Sequence, residues 1–191
     1  MDLDRPALAC APALLGWLLT DGEVTLRVTE VEAYGGRDDP AAHAFGGPRP
    51  HTRDLFEPPG TLYCYRSYGL HICGNVVCGP PGSGQAVLFR AGEVVAGLDV
   101  AVARRGPMPA PRLARGPGCL GKAMGWSLED SGRRFGSGGL LLAPPAGPVG
   151  EVRSGPRVGV SVAHRRPWRF WLAGEPSVSA YRVSPRVRDD G

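Results

Sequence analysis

Polar and apolar positions alternate most clearly between Glu23 and Tyr34. Val24, Leu26 and Val28 share one side and Thr25, Arg27 and Thr29 the other, the period-two pattern of a strand. Upstream, the apolar run from Leu8 to Leu19 predicts a buried first helix ending near Asp21-Gly22. The run is too short to span a bilayer, and Asp2 and Asp4 precede it where a secretory leader carries positive charge. Residues 35–60 read as loop, rich in Gly, Pro and Asp. Thr61 to Arg66 and Leu70 to Cys78 read as two strands around Ser67-Tyr68-Gly69, a hairpin signal, and Gln85 to Arg90 as another short strand. Residues 91–103 fit a helix or a strand, and 104–118 form a basic, proline-rich connection. Leu120 to Trp126 predicts a short helix, and residues 131–156 a Gly/Pro loop with one strand around Leu140. Arg157 to Val162 and Trp168 to Leu172 close the chain as strands. Short strands outnumber helices, and neither a repeat nor a composition shift divides the chain. The pattern predicts one α+β domain dominated by antiparallel sheet.

Composition sharpens this picture. The chain has 191 residues, of which 29 are Gly and 20 are Pro, close to the load at which low complexity is the default. A hydrophobic content of 42% with a net charge of only +4 argues instead for a packed domain with many turns. Of the 22 basic residues only Lys122 is lysine, which excludes a Walker A lysine, a polylysine patch and a choice of Schiff-base amines. The basic balance permits a nucleic-acid or phosphate partner without demanding one, and a GC-rich genome explains the arginine bias equally well. The five cysteines, Cys10, Cys64, Cys73, Cys78 and Cys119, are odd in number and form no CxxC pair. Cys73 and Cys78 sit among apolar residues and read as small buried hydrophobes, and the spacing fits a reducing, cytoplasmic compartment better than a zinc site or a disulfide framework.

The candidate chemistry starts at Thr29-Glu30-Val31-Glu32-Ala33-Tyr34. Strict alternation carries Glu30, Glu32 and Tyr34 onto the face of Val24, Leu26 and Val28. A carboxylate aimed at an apolar face is expensive and is kept for a partner or a task. The competing reading is a bulge that turns the acids out to solvent, and the pattern does not choose between them. His43 follows in the loop. Tyr63 and Tyr65 share one hairpin strand, and Tyr68 stands at the turn, where a large aromatic has little core to enter and suits a wedge that unstacks a duplex. Enzymes that act on a base inside a duplex extrude it and hold it between stacking side chains.

The runs Glu30-Val31-Glu32-Ala33-Tyr34, Ala41-Ala42-His43 and Gly60-Thr61-Leu62-Tyr63-Cys64-Tyr65-Arg66-Ser67-Tyr68-Gly69 closely resemble the alkyladenine (3-methyladenine) DNA glycosylases. Leu14-Leu15-Gly16, Asn75, Val87-Leu88-Phe89-Arg90-Ala91, Gly116-Pro117-Gly118, Arg157-Val158-Gly159-Val160 and Pro167-Trp168-Arg169-Phe170 extend the resemblance, in order, over residues 14–175. It implies a monofunctional glycosylase of base excision repair that flips alkylated or deaminated purines out of double-stranded DNA and hydrolyses the N-glycosidic bond. Glu32 then corresponds to the general base that activates water, with Arg90 and the Val160 carbonyl positioning that water. Tyr34, His43 and Tyr65 correspond to the residues that sandwich the flipped base, and Tyr68 to the side chain inserted through the minor groove. Asn75 and Leu88 correspond to pocket-wall positions, Asn75 helping to reject guanine. The implied fold is a single domain on a curved antiparallel sheet with peripheral helices and a protruding hairpin, with short flexible tails at about 1–6 and 185–191. No metal or cofactor is implied, nor an obligate protein partner or a membrane, and a monomer is expected, associated with the nucleoid through DNA.

Three positions depart from the family pattern. Arg49-Pro50-His51 and Leu55-Phe56 stand where relatives carry a Thr-Pro-Arg run and a Met-Phe pair, and Cys119 where they often carry lysine. His71, beside the hairpin tip, either assists the wedge or faces solvent. The rival to the enzyme is a lesion-binding protein that uses the same pocket without cutting. An intact Glu32 favours the enzyme, and a lone Lys122 favours water over an amine as nucleophile, hence no lyase activity.

Overall fold

The alternating segment becomes the spine of the sheet. In the computed structural model, which describes residues 1–187, Thr25–Tyr34 forms a ten-residue strand, β2. Leu18–Thr20 (β1) pairs with its first residues. The hairpin strands Leu62–Ser67 (β3) and His71–Cys78 (β4) lead into Gln85–Ala96 (β5), which lies antiparallel to β2 over its length. Three short strands complete the sheet: Leu141–Ala143 (β6) beside β1, Val152–Gly155 (β7), and Arg169–Leu172 (β8). The strand order is β3-β4-β5-β2-β1-β6, with β8 joining β2 at Glu30 to Glu32 and β7 joining β8. Because β1 and β8 share one edge of β2 at different ends, the antiparallel sheet curls into a half-barrel.

Three helices cover the sheet: Ala7–Ala13 (α1), Leu98–Arg105 (α2) and Pro117–Ala123 (α3). Between them and the sheet lies the core, built from Leu14, Leu26, Val28, Val31, Phe89, Leu120 and Met124 among others. The result is the expected single α+β domain on a curved antiparallel sheet. At the start of the chain the Leu3 carbonyl accepts from the Gly79 N–H at 2.8 Å, and its side chain packs on the core. Of the segment expected as a C-terminal tail, residues 188–191 lie outside the described residues.

Several elements differ from the sequence reading for physical reasons. The first helix stops at Ala13, just after Pro12, and Gly16 at φ 80° turns the chain so that the rest of the apolar run becomes β1. An apolar run alone does not distinguish a buried helix from a buried strand, and here it contains both. Residues 91–103 divide likewise: β5 runs to Ala96, Gly97 turns at φ 71°, and α2 follows. Within the 104–118 connection, α2 reaches Arg105 and Ala110–Arg112 form a short 3-10 turn. α3 starts earlier than expected because Pro117 occupies its first turn, where a missing N–H costs nothing. Arg157 to Val162 is a loop and not a strand, with Gly159 at φ 77°.

All five cysteines are free, Cys119 half-buried and the other four buried. Burial pushes the Cys73 thiol up to about 11 and raises that of Cys64, while Cys78 is raised by a hydrogen bond with Cys10 and by burial. Among the described residues no helix is long and apolar enough to cross a membrane.

The packing of α3 on the hairpin depends on missing side chains. A Cβ at Gly121 would stand 2.0 Å from the Ile72 carbonyl oxygen, and one at Gly74 would stand 2.1 Å from the Trp126 ring. A backbone oxygen within a ladder has no room to yield. Gly121→Ala is therefore expected to destabilise the protein by about 1–3 kcal/mol despite the better helix propensity of alanine. The check is a urea titration in which the midpoint falls while the slope is unchanged.

Candidate active site

On β2 the apolar side chains facing the core are Leu26 and Val28, continuing from Val24 just before the strand, then Val31 and Ala33. The alternation slips by one residue between Val28 and Val31, where the register with β5 shifts on both sides of Glu30. This is the bulge that the sequence left open, with an outcome neither reading contained. The slip puts Glu30, Glu32 and Tyr34 on the face opposite the core, yet Glu30 and Glu32 are 0% exposed. The loop after β7 and the segment after β8 cover them.

Glu32 sits in a cage of three donors. Its Oε1 accepts from the Val158 backbone N–H at 2.7 Å and lies 3.3 Å from the Arg90 guanidinium. Its Oε2 accepts from the Tyr34 hydroxyl at 3.0 Å. A carboxylate offers about four lone-pair sites, so these contacts leave one acceptor site on Oε2. Tyr34, Arg90 and Val158 all line a pocket of about 440 Å³, which places the carboxylate directly beneath its floor.

The electrostatics keep each partner in its donor form. Burial, then the charge of Glu32, pushes the Tyr34 phenol well above its usual range, so it stays protonated. Burial opposes the charge on Arg90, but Glu32 and Glu30 outweigh it and raise its pKa. Arg157, fully buried and also raised, spans the Asp39 carboxylate, donates to the Ala33 carbonyl at 3.1 Å and lies 4.8 Å over the Tyr34 ring. It backs the wall that holds Tyr34.

The remaining expected residues gather around the same space. His43, Tyr65, Tyr68, Asn75, Leu88 and Val160 line the pocket with Tyr34 and Arg90. His43 meets the Tyr65 ring edge-on at 4.5 Å, and its Nδ1 lies 3.1 Å from the Tyr63 hydroxyl. Burial lowers the His43 pKa, favouring the neutral ring. The Asn75 amide donates to the Tyr63 carbonyl at 3.1 Å, which fixes its orientation in the wall. Tyr68 is 82% exposed at the hairpin tip, in left-handed backbone at φ 49° with Gly69 at φ 71° beside it. Its side chain arches over the pocket mouth toward Gly159. His71 stands apart, exposed on the hairpin and packed against Gly118 of α3. Among the described residues no cluster of His, Cys, Asp or Glu has the form of a metal site.

Sequence reasoning gave no role to the charge cluster behind Arg90. Glu30 accepts from Arg90 Nε at 2.9 Å, Arg169 Nε at 2.6 Å, and the Ser179 N–H at 2.7 Å and hydroxyl at 2.9 Å. The available signal was Glu30 itself, a second acid on a strand otherwise spent on burial. Its arginine partner Arg169 lies far along the chain.

A sequence model of the family described as Methylpurine-DNA glycosylase (MPG) matches residues 1–176. A protein of Frankia casuarinae is 51% identical over 197 residues, covering 97% of this chain and 93% of the relative. One of Cutibacterium acnes is 49% identical, covering 96% of this chain and 100% of the relative, and one of Mycobacterium bovis is 46% identical, covering 94% and 92%. All three bear the provisional name 3-methyladenine DNA glycosylase.

Removing one partner of a buried charge cluster leaves the others uncompensated. Glu30→Gln is expected to destabilise the protein by about 3–5 kcal/mol, by analogy with other broken buried ion pairs. Urea unfolding checks this. A variant as stable as the parent would mean that Arg90 and Arg169 are satisfied without the Glu30 charge.

Proposed function

The chain belongs to the Methylpurine-DNA glycosylase family, and from that membership we propose a monofunctional enzyme that hydrolyses the N-glycosidic bond of a damaged purine flipped out of duplex DNA. The observation that carries this reading is the cage around Glu32: a fully buried carboxylate beneath a pocket floor, with three donors in place and one acceptor site left on Oε2. A water held by that site is the nucleophile. Its oxygen bonds to the sugar C1′ while its proton passes to Glu32, and the C1′–N bond breaks with its electron pair leaving on the purine. The carboxylate also opposes the positive charge that develops on the sugar. A purine already made cationic by alkylation departs as a neutral base, which lowers the demand for a general acid.

The other residues take complementary roles. Arg90 holds Glu32 in place, and the Val160 carbonyl accepts from the same water. Tyr34, His43 and Tyr65 sandwich the extruded base, with Asn75 and Leu88 setting the shape of the wall. Tyr68, already outside the domain surface, fills the space the base vacates in the duplex. The single lysine, Lys122, is exposed on α3 and does not line the pocket, so no amine is at hand for a lyase step. A protein that only bound lesions would have no use for a carboxylate caged at this cost.

Glu32→Gln is expected to lower the single-turnover release of hypoxanthine or ethenoadenine from a duplex about 10²-fold or more, the usual scale for a lost general base. Binding of the same duplex stays within a few-fold of the parent. Wild-type excision by this variant would overturn the reading. Tyr68→Ala is expected to weaken lesion affinity about tenfold, on the scale of one base-aromatic contact, measured by fluorescence anisotropy at fixed salt. In the parent reaction strands are cut only after alkali; nicking without alkali would contradict the monofunctional assignment.

A further inference from the structure

The segment after β8 returns along β2 and touches it through alternate residues. Glu175 meets Arg27 at 2.8 Å, the Ser177 hydroxyl meets that of Thr29 at 2.9 Å, and Ser179 meets Glu30. Arg115 anchors the same segment from outside through the Val178 carbonyl at 2.8 Å. The family match ends at residue 176, so of these contacts only that of Glu175 lies within it.

Ser179 makes contacts that the other residues of the segment do not. Its hydroxyl lies 2.9 Å from Glu30 Oε1 and accepts from the terminal NH2 of Arg90 at 3.3 Å. Its N–H binds Glu30 Oε2, and its carbonyl accepts from Arg169 at 2.8 Å. The guanidinium of Arg90 is thus held at Nε by Glu30 and at one terminal nitrogen by Ser179. The other terminal nitrogen is directed at Glu32, 3.3 Å away. With one hydrogen bond alone the planar group can swing about its own axis. With two it has a single orientation.

We propose that Ser179 is a positioning residue for the glycosylase reaction, clamping Arg90 so that its free edge holds the Glu32 carboxylate in register with the attacking water. This rests on the reading of Glu32 as general base. Ser179 does not line the pocket, and its hydroxyl acts through Arg90 and through Glu30, which holds the same guanidinium. Small errors in the placement of reacting groups cost rate steeply while leaving binding intact. The hydroxyl therefore contributes to the chemical step and not to affinity.

The test is single-turnover excision on a hypoxanthine duplex, with lesion affinity and melting temperature measured on the same proteins. Ser179→Ala is expected to slow excision about tenfold with affinity unchanged and a fall in melting temperature no larger than that of Ser177→Ala, and Ser179→Thr, which keeps the hydroxyl, to restore most of the rate. Ser177→Ala loosens the same segment without touching Arg90 and is expected to stay within about twofold of the parent rate, as an uncoupled contact should. A wild-type rate for Ser179→Ala, an equal loss in Ser177→Ala, or a loss that follows affinity or melting temperature would each overturn the proposal. Glu32→Gln measured alongside separates the two levels. If it remains active, the reading of the reaction fails. If it is inactive while Ser179→Ala is not, only the role of Ser179 fails.

Discussion

Two carboxylates on one strand, both buried and separated by a single residue, set the terms for the rest of the molecule. Glu30 and Glu32 cannot remain charged in the interior without cations, and Arg90 from β5 reaches both of them. Arg169 from β8 completes the balance at Glu30. These pairings require β5 and β8 to flank β2 at the same level, which is where the sheet curls. They also require a cover, and the loop through Val158 and the segment through Ser179 supply it with backbone donors. The apolar core on the other side of β2 holds the fold together, but the charged side dictates which strands lie next to one another. The desolvation cost of such a cluster is large, and it is tolerated because every member has a partner.

The two acids differ in surroundings and so in what they can do. Glu30 is saturated by two arginines and a serine and serves as a fixed counter-charge. Glu32 shares one arginine and receives one N–H and one hydroxyl, which leaves one acceptor site on Oε2. The same residue type two positions apart thus meets four donors in one case and three in the other, and the general-base role proposed for Glu32 draws on that difference.

Much of this was legible in the sequence, and the gaps have identifiable causes. The hairpin was readable because Tyr68-Gly69 interrupts two well-patterned strands, and the aromatic tip followed from it. The pocket residues Tyr34, His43, Tyr65, Asn75, Leu88 and Arg90 were marked by family resemblance, and the chain brings them together from five separate segments. Periodicity could not settle the face of Glu30 and Glu32, because a one-residue slip at a bulge reverses the side on which every later side chain falls. The loop from Arg157 to Val162 resembled a strand because its valines alternate with small residues. Gly159 breaks that path and leaves the Val158 N–H free for Glu32. The clasp at Ser179 carried no local signal, since its partners lie 149 and 89 positions away.

The thiols have a further consequence. Small electrophiles attack the thiolate more readily than any other side chain, so cysteine burial decides how exposed a chain is to them. Here Cys64, Cys73 and Cys78 are buried and shifted toward the unreactive protonated form. Cys10, whose pKa is lowered by its bond to Cys78, lies on the buried side of the first helix at 1% exposure. With one lysine in the whole sequence, the chain also carries few side-chain amines. The packing that makes these four cysteines core residues also shields their thiols from electrophiles in solution, with Cys119 half-buried.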